Sequence, residues 1–109
     1  MATYTTRNLA DGTLATAALT TLFTVDTGRV EVLKAVSICN PTGAVVLCTL
    51  KLTPRTAGTA RTLVSARALA PGETYVPLGA LNQAIEAGGT LAMSGLALEY
   101  VITTQDIVP

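Results

Sequence analysis

From Thr20 onward one pattern recurs: a short run of β-branched and aliphatic residues, then a Gly, Pro, Asn or Asp turn. TTLFTV stops at Asp26-Thr27-Gly28, RVEVLKAVSIC at Asn40-Pro41-Thr42-Gly43, and AVVLCTLKL at Thr53-Pro54. RTLVSARAL stops at Ala70-Pro71-Gly72 and ETYVPL at Gly79, and TLAMSGL and ALEYVITT follow Gly88-Gly89. Alternating apolar runs broken at regular short intervals predict an antiparallel all-β sandwich, jelly-roll or Ig-like, of about seven or eight strands. The predicted strands are about 20–25, 29–39, 45–52, 61–69, 73–78, 90–95 and 97–104. Gly95 is read as a bulge or bend, and 81–87 as either one helical turn or an irregular crossover. A chain of 109 residues builds one such core and not two.

The first eighteen residues differ. Met1 to Thr6 is polar and β-prone, Asn8-Leu9-Ala10-Asp11-Gly12 reads as a turn, and the stretch beyond is rich in Thr and Ala. Residues 1–18 are therefore expected to be an extended N-terminal arm on a sandwich domain of residues 19–109. The arm's anchors would be Tyr4, Leu9, Leu14 and, just past its end, Leu19, with a surface of the sandwich or of a neighbouring subunit to lie on. Deleting residues 1–12 should then spare the sandwich and weaken assembly.

Periodicity also places the cysteines. Val30, Val32, Val36 and Ile38 are expected on one face of the second strand, which turns Cys39 away. In the third, Val46, Cys48, Leu50 and Leu52 share a core face opposite Thr49 and Lys51. Cys48 is thus a core thiol and Cys39 an outward one, both free; an internal Cys39–Cys48 bridge would need a bulge or register shift, and an intermolecular bridge through Cys39 is the minority alternative. No usual zinc pattern fits, because partner Cys or His residues are missing.

Chemistry is scarce. Without His, the commonest catalytic base and metal ligand is absent from the sequence. Asp26, Glu73 and Glu86 fall in turns, and Glu31 and Glu99 fall on strand faces that read as solvated. Gly88-Gly89 lacks the Lys-Ser/Thr of a phosphate loop and reads as a flexible turn. Tyr4, Tyr75 and Tyr100 could form a stacking platform, but core and rim positions account for them. No catalytic residue, cofactor or metal ion is expected, and the protein is read as not an enzyme. Net charge is zero, with seven basic residues scattered along the chain, so neither nucleic acid nor an anionic membrane is an expected partner. Arg55 and Arg61 could bracket a small basic patch; solvated loop ends are the plainer reading.

Half the residues are hydrophobic and 13% are charged, with no apolar run of the length a membrane helix requires. Such a chain is expected to hide apolar surface against other copies or other proteins. The assembly interface is assigned to Tyr4, Leu9, Leu14 and Cys39. The opening residues lack the apolar core of a secretory signal, which places synthesis in a cytoplasm.

The run TLFTVDTGRVEVLKAVSICNPTGAVVLCTLKLTP, with ALAPGETYVPLGALNQAIEAGGTLAMSG after it, resembles small β-sandwich virion proteins of tailed bacteriophages. The matching residues are Leu22 to Val25, Ile38 to Asn40, Pro71 to Glu73, and Leu81 with Ala87 to Leu91, and ATYTTRNLADGTLAT resembles the opening of the same group. The resemblance implies a structural virion protein and no catalytic residues. The reading taken is a homotrimeric capsid decoration or cement subunit, partnered by its own copies and the major capsid protein. It would be assembled in the bacterial host cytoplasm and carried in the virion. A neck, collar or tail accessory, and a receptor- or carbohydrate-binding module, are the alternatives.

Overall fold

The structure is a computed structural model and describes residues 3–108; Met1, Ala2 and Pro109 lie outside the described residues. It is an all-β sandwich of nine strands: β1 (Thr3–Thr13), β2 (Thr20–Thr24), β3 (Val30–Cys39), β4 (Val46–Thr53), β5 (Arg61–Leu69), β6 (Thr74–Tyr75), β7 (Ala84–Ile85), β8 (Thr90–Ser94) and β9 (Glu99–Val108). One sheet runs β1-β9-β3 with β6 and β7 sharing the far edge of β3, and the other runs β2-β8-β4-β5, all antiparallel. The pairs nest. First pairs with last, β2 with β8, β3 with β6 and β7, and β4 with β5, so the chain is one long folded ribbon rolled until β9 meets β3 and β8 meets β4. With β6 and β7 counted as one interrupted strand, this is the jelly-roll order.

Alternation decides which side chains the roll encloses. On β4, Cys48, Leu50 and Leu52 are buried and Thr49 and Lys51 take the other parity, as the sequence predicts, with Leu47 exposed on that face as well. The buried three pack with Leu91 and Met93 of β8 against Leu33, Val36 and Ile38 of β3 and Ile102 of β9. Both cysteines are free, Cys48 buried and Cys39 half-buried. Burial raises the Cys48 thiol from 9.0 to about 11. A thiol whose folded value lies above its unfolded value stabilises fully below the unfolded value and loses that contribution as pH rises through the folded one. The unfolding constant should therefore gain about tenfold per pH unit between about pH 9 and 11, and Cys48→Ala should remove that slope in denaturant titrations. At neutral pH, iodoacetamide should label native Cys39 and spare Cys48 until unfolding.

Three sequence expectations need correction. First, β3 does not keep one parity. A bulge at Lys34, between the pairs Leu33–Thr104 and Ala35–Thr103, turns Glu31 and Leu33 inward before it and Val36 and Ile38 inward after it. Val30 and Val32 therefore face out, and Glu31 is buried rather than solvated. Second, Asn8 to Gly12 makes no turn. These residues continue β1 along β9, with Leu9 bulged between the pairs Asn8–Thr103 and Ala10–Ile102. Third, Gly95 starts a tight turn rather than forming a bulge or bend: the Leu98 amide donates to the Gly95 carbonyl at 3.2 Å, and Leu96 is left exposed.

The N-terminal segment is extended, and the surface it lies on is its own chain's. Thr3–Thr13 forms the edge of the first sheet, and Leu14 is buried in the core, its amide bonded to the Leu98 carbonyl at 2.9 Å. Residues 81–87 take the irregular course: a 3-10 turn at Leu78–Ala80 precedes them, Asn82 and Gln83 hydrogen-bond to Leu33, and β7 follows. Gly88-Gly89 is packed tightly rather than loosely. A Cβ on Gly89 would stand 2.6 Å from the Thr53 carbonyl oxygen and 2.9 Å from that of Glu86, distances only a backbone shift could relieve.

Candidate assembly surfaces

The outer face of the first sheet is set by register. Reading across β1, β9 and β3, the outward residues form the rows Tyr4–Ile107–Val30, Thr6–Gln105–Val32, Asn8–Thr103–Ala35, Asp11–Val101–Ser37 and Thr13–Glu99–Cys39. Asp11 and Glu99 are the charged members of these rows, and both stand at one end; the exposed Lys34 at the β3 bulge reaches to Asn82, beside β7, with its amine 3.4 Å from the Asn82 side-chain oxygen. The three rows from Tyr4 to Ala35 carry no charge and mix Thr, Asn and Gln with Val, Ile and Tyr. A face that stays in water is usually richer in Lys and Glu; the charge-depleted centre of an interface looks like this one.

The second sheet offers a smaller apolar patch. Val45, Leu47 and Leu96 are 60%, 58% and 52% exposed and, with Ala17, line a shallow groove of about 470 Å³ on its outer face. Leu47 is outward because its neighbours Val46 and Cys48 fill the inward parity of β4.

Of the residues assigned to the interface from sequence, the structure joins two on one face and removes one. Tyr4 and Cys39 are both on the outer face of the first sheet, at opposite ends and about 26 Å apart at about 3.3 Å per residue. Leu9 is half-buried at the β1 bulge. Leu14, 3% exposed, is spent on the core and has no surface to offer a partner. Sequence reasoning missed Val32, Val101 and Ile107 as outward groups. The signal was present on β9, where Val101, Thr103, Gln105 and Ile107 alternate with Ile102, Thr104 and Asp106 beyond the predicted end of the strand.

Titratable chemistry is concentrated inside one end of the sandwich. Glu31 and Asp106 lie directly opposite each other on β3 and β9, both facing in and both buried. Opposed like charges destabilise a strand pair unless they are neutralised. Arg7, reaching from β1, ion-pairs with Glu31, and Arg29 at the entry to β3 ion-pairs with Asp106. Thr104 donates a 2.8 Å hydrogen bond to the other Glu31 oxygen. The hydrogen bond to Glu31 raises the Arg7 guanidinium above its ordinary value. Two cations on two anions make a neutral set that holds β1, β3 and β9 together, with Arg7 Nε and Asp106 Oδ1 buried and without a hydrogen-bond partner among the described residues. The adjoining hollow of about 430 Å³, lined by Gly28 to Val30, Arg55, Thr56, Glu86 and Ala87, is likewise neutralised, since Arg55 bonds Glu86 at 3.0 Å. Tyr75 is half-buried beneath the Arg67 guanidinium, 4.1 Å from its ring centre, and Tyr100 packs against the core. Among the described residues no three Asp, Glu, Cys or His side chains group as a metal site would require.

Neither a protein-family model nor a curated protein matches this chain. Among solved structures, the fold is similar to a chain in the structure of infectious bursal disease virus Gx strain, with a TM-score of 0.62 and 12% sequence identity. The match covers 99% of this chain and 33% of that chain, so this chain spans about a third of its neighbour's length. At that identity the likeness speaks for the fold alone.

Proposed function

We propose that this protein is a structural subunit of a tailed-bacteriophage virion, a homotrimeric decoration or cement protein that binds the major capsid protein on the head. The observation that carries the reading is the outer face of the β1-β9-β3 sheet, whose three rows from Tyr4–Ile107–Val30 to Asn8–Thr103–Ala35 are uncharged and mix apolar with neutral polar side chains, as the centre of a contact surface does. The fold, similar to part of a chain in a virus structure, supports it. So does the polar cluster, in which each buried carboxylate is paired with an arginine brought from another part of the chain, a structural use of charge. Its work would be mechanical. Interfaces of ordinary size bury about 800 Å² per partner, each Å² of apolar area contributing about 25 cal/mol before association costs. Repetition over a shell turns a modest contact into resistance to internal pressure. A sugar-binding role is less well supported, because Tyr4 stands without a second exposed aromatic beside it.

Quantitative mass spectrometry of purified particles tests the proposal: the chain should be present in copy number matching the head lattice. A copy number of a single ring would move it to the neck or tail, and absence from particles would end the virion reading. Val32→Lys on the outer face should abolish rebinding to particles stripped of the protein while leaving the melting temperature within about 2 °C, as expected of a surface change.

A further inference from the structure

We infer that the free edge of β1 is a pairing edge for a second copy of this chain, joined antiparallel about a two-fold axis. A sheet edge presents a row of unpaired amides and carbonyls, and soluble proteins blunt such edges by shortness, bulges, charge or cover. Three of the four edges here are blunted. β2 is five residues long and irregular at Leu22. β5 breaks register twice against β4, carries Arg61 and Arg67, and holds Ala66 at φ 45°. β6 and β7 are two residues each, separated by the 3-10 turn. The fourth edge is different. Thr3 to Asn8 runs in unbroken register on β9, and no described residue pairs with its other side. Its sequence, TYTTRN, holds no Pro, Gly or Lys, and its one charge is drawn inward to Glu31.

A bare strand needs a strand, and the regular free one on this chain is β1 itself, which makes the contact isologous. Because a two-fold axis normal to the sheet keeps outer faces together, outward residues must oppose outward residues. The axis then passes through Thr5 or Thr6; placed at Arg7 it would oppose two guanidinium groups. Either choice sets threonines across from each other or beside Tyr4, favourable cross-strand pairs. The uncharged rows of the two outer faces become one continuous surface. A two-fold contact cannot close a trimer; it either makes a dimer or joins one trimer to another, so this inference depends on self-association and not on the virion reading, which could fail while it stands.

The test is sedimentation equilibrium of the full chain with cross-linking. Thr6→Lys places a lysine of each copy at or next to the axis, and should halve the assembly mass or weaken the contact at least tenfold, without lowering the melting temperature. In a Cys39→Ser background, Thr5→Cys or Thr6→Cys should oxidise to a covalent dimer, because directly opposed Cα atoms lie about 4.5–5.5 Å apart, within disulfide reach. Ser65→Cys on β5 should not. Hydrogen exchange of the unsubstituted chain gives a readout independent of any variant: amides of Thr3 to Asn8 should gain protection as concentration rises. A monomer at every concentration up to about 100 μM, mass unchanged by Thr6→Lys, cross-linking at β5 instead of β1, or concentration-independent exchange along β1 would each overturn the inference.

Discussion

Removing residues 1–12 should unfold this protein rather than trim it. The truncation strips β1 from β9 over nearly its whole length and exposes Ile102 and Tyr100, which β1 covers through Ala10 and Gly12. It also removes Arg7. Glu31, 1% exposed, would then keep Thr104 as a partner but face Asp106 across the strand pair with no cation of its own. Stranding one member of a buried ion pair costs about 3–5 kcal/mol, and domains of this size have about 5–15 kcal/mol of net stability in all. Circular dichroism and urea titration should show a chain without a cooperative transition at 37 °C. Arg7→Ala isolates the electrostatic share: it should lower stability by about 3 kcal/mol or more, and Arg7→Met with Glu31→Leu should recover most of the loss. A truncated chain that melts cooperatively near the intact one would show that β1 rests on the sandwich without supporting it.

Why the sequence pointed to an arm is visible in the residues themselves. β1 is an edge strand, exposed on most of its length, so it needs few apolar side chains and shows no alternation to read. Its partner β9 was legible as far as residue 104 and not beyond, because its last inward positions, Thr104 and Asp106, are polar groups that look like solvent-facing ones. Their burial is possible because Arg7 and Arg29, 97 and 77 residues from Thr104 and Asp106 respectively, arrive through the roll. No local pattern encodes such a meeting. The same holds for Glu31: the Lys34 bulge reverses the parity of β3, and without it Val30 and Val32 read as core. By contrast, β4 and β5 were legible, since Cys48, Leu50 and Leu52 alternate with Thr49, Lys51 and Thr53 and the turns around them carry Pro and Gly. The outer face of the first sheet was hidden for a related reason. Once parity is misjudged on β3, its outward valines count as interior, and the uncharged surface they help to form disappears from view.

Asn40 supplies the second large expected effect, at the opposite end of the sandwich. It is fully buried in the turn that carries the chain from β3 to β4, between the two sheets. Its side-chain amide donates to the Ala44 carbonyl at 2.7 Å and to the Leu69 carbonyl, at the end of β5, at 2.9 Å. Its side-chain oxygen accepts from the Thr42 amide at 3.1 Å and the Thr42 hydroxyl at 2.7 Å. The backbone joins in, the Asn40 amide donating to the Glu73 carbonyl at 2.9 Å and its carbonyl accepting from Gly72 at 2.7 Å. One residue therefore ties the β3–β4 turn to the β5–β6 turn and holds the two sheets in register. Asn40→Asp is nearly the same shape and makes the sharpest test. It keeps the acceptor for Thr42 but turns a carboxylate oxygen toward two carbonyl oxygens, removing two donated bonds and burying a charge with no cation among its partners. Leaving a buried carbonyl unpaired costs about 1–3 kcal/mol, and the carboxylate adds a desolvation cost that protonation relieves. Asn40→Asp should thus lose about 3 kcal/mol or more at pH 7 and recover part of it toward pH 4, where a protonated oxygen again donates. Asn40→Ala should lose a similar amount with no recovery in acid. Urea titrations of both variants at pH 7 and pH 4 separate the cases; equal stability of Asn40→Asp and the unsubstituted chain at pH 7 would mean that the two turns are held together by something other than this side chain.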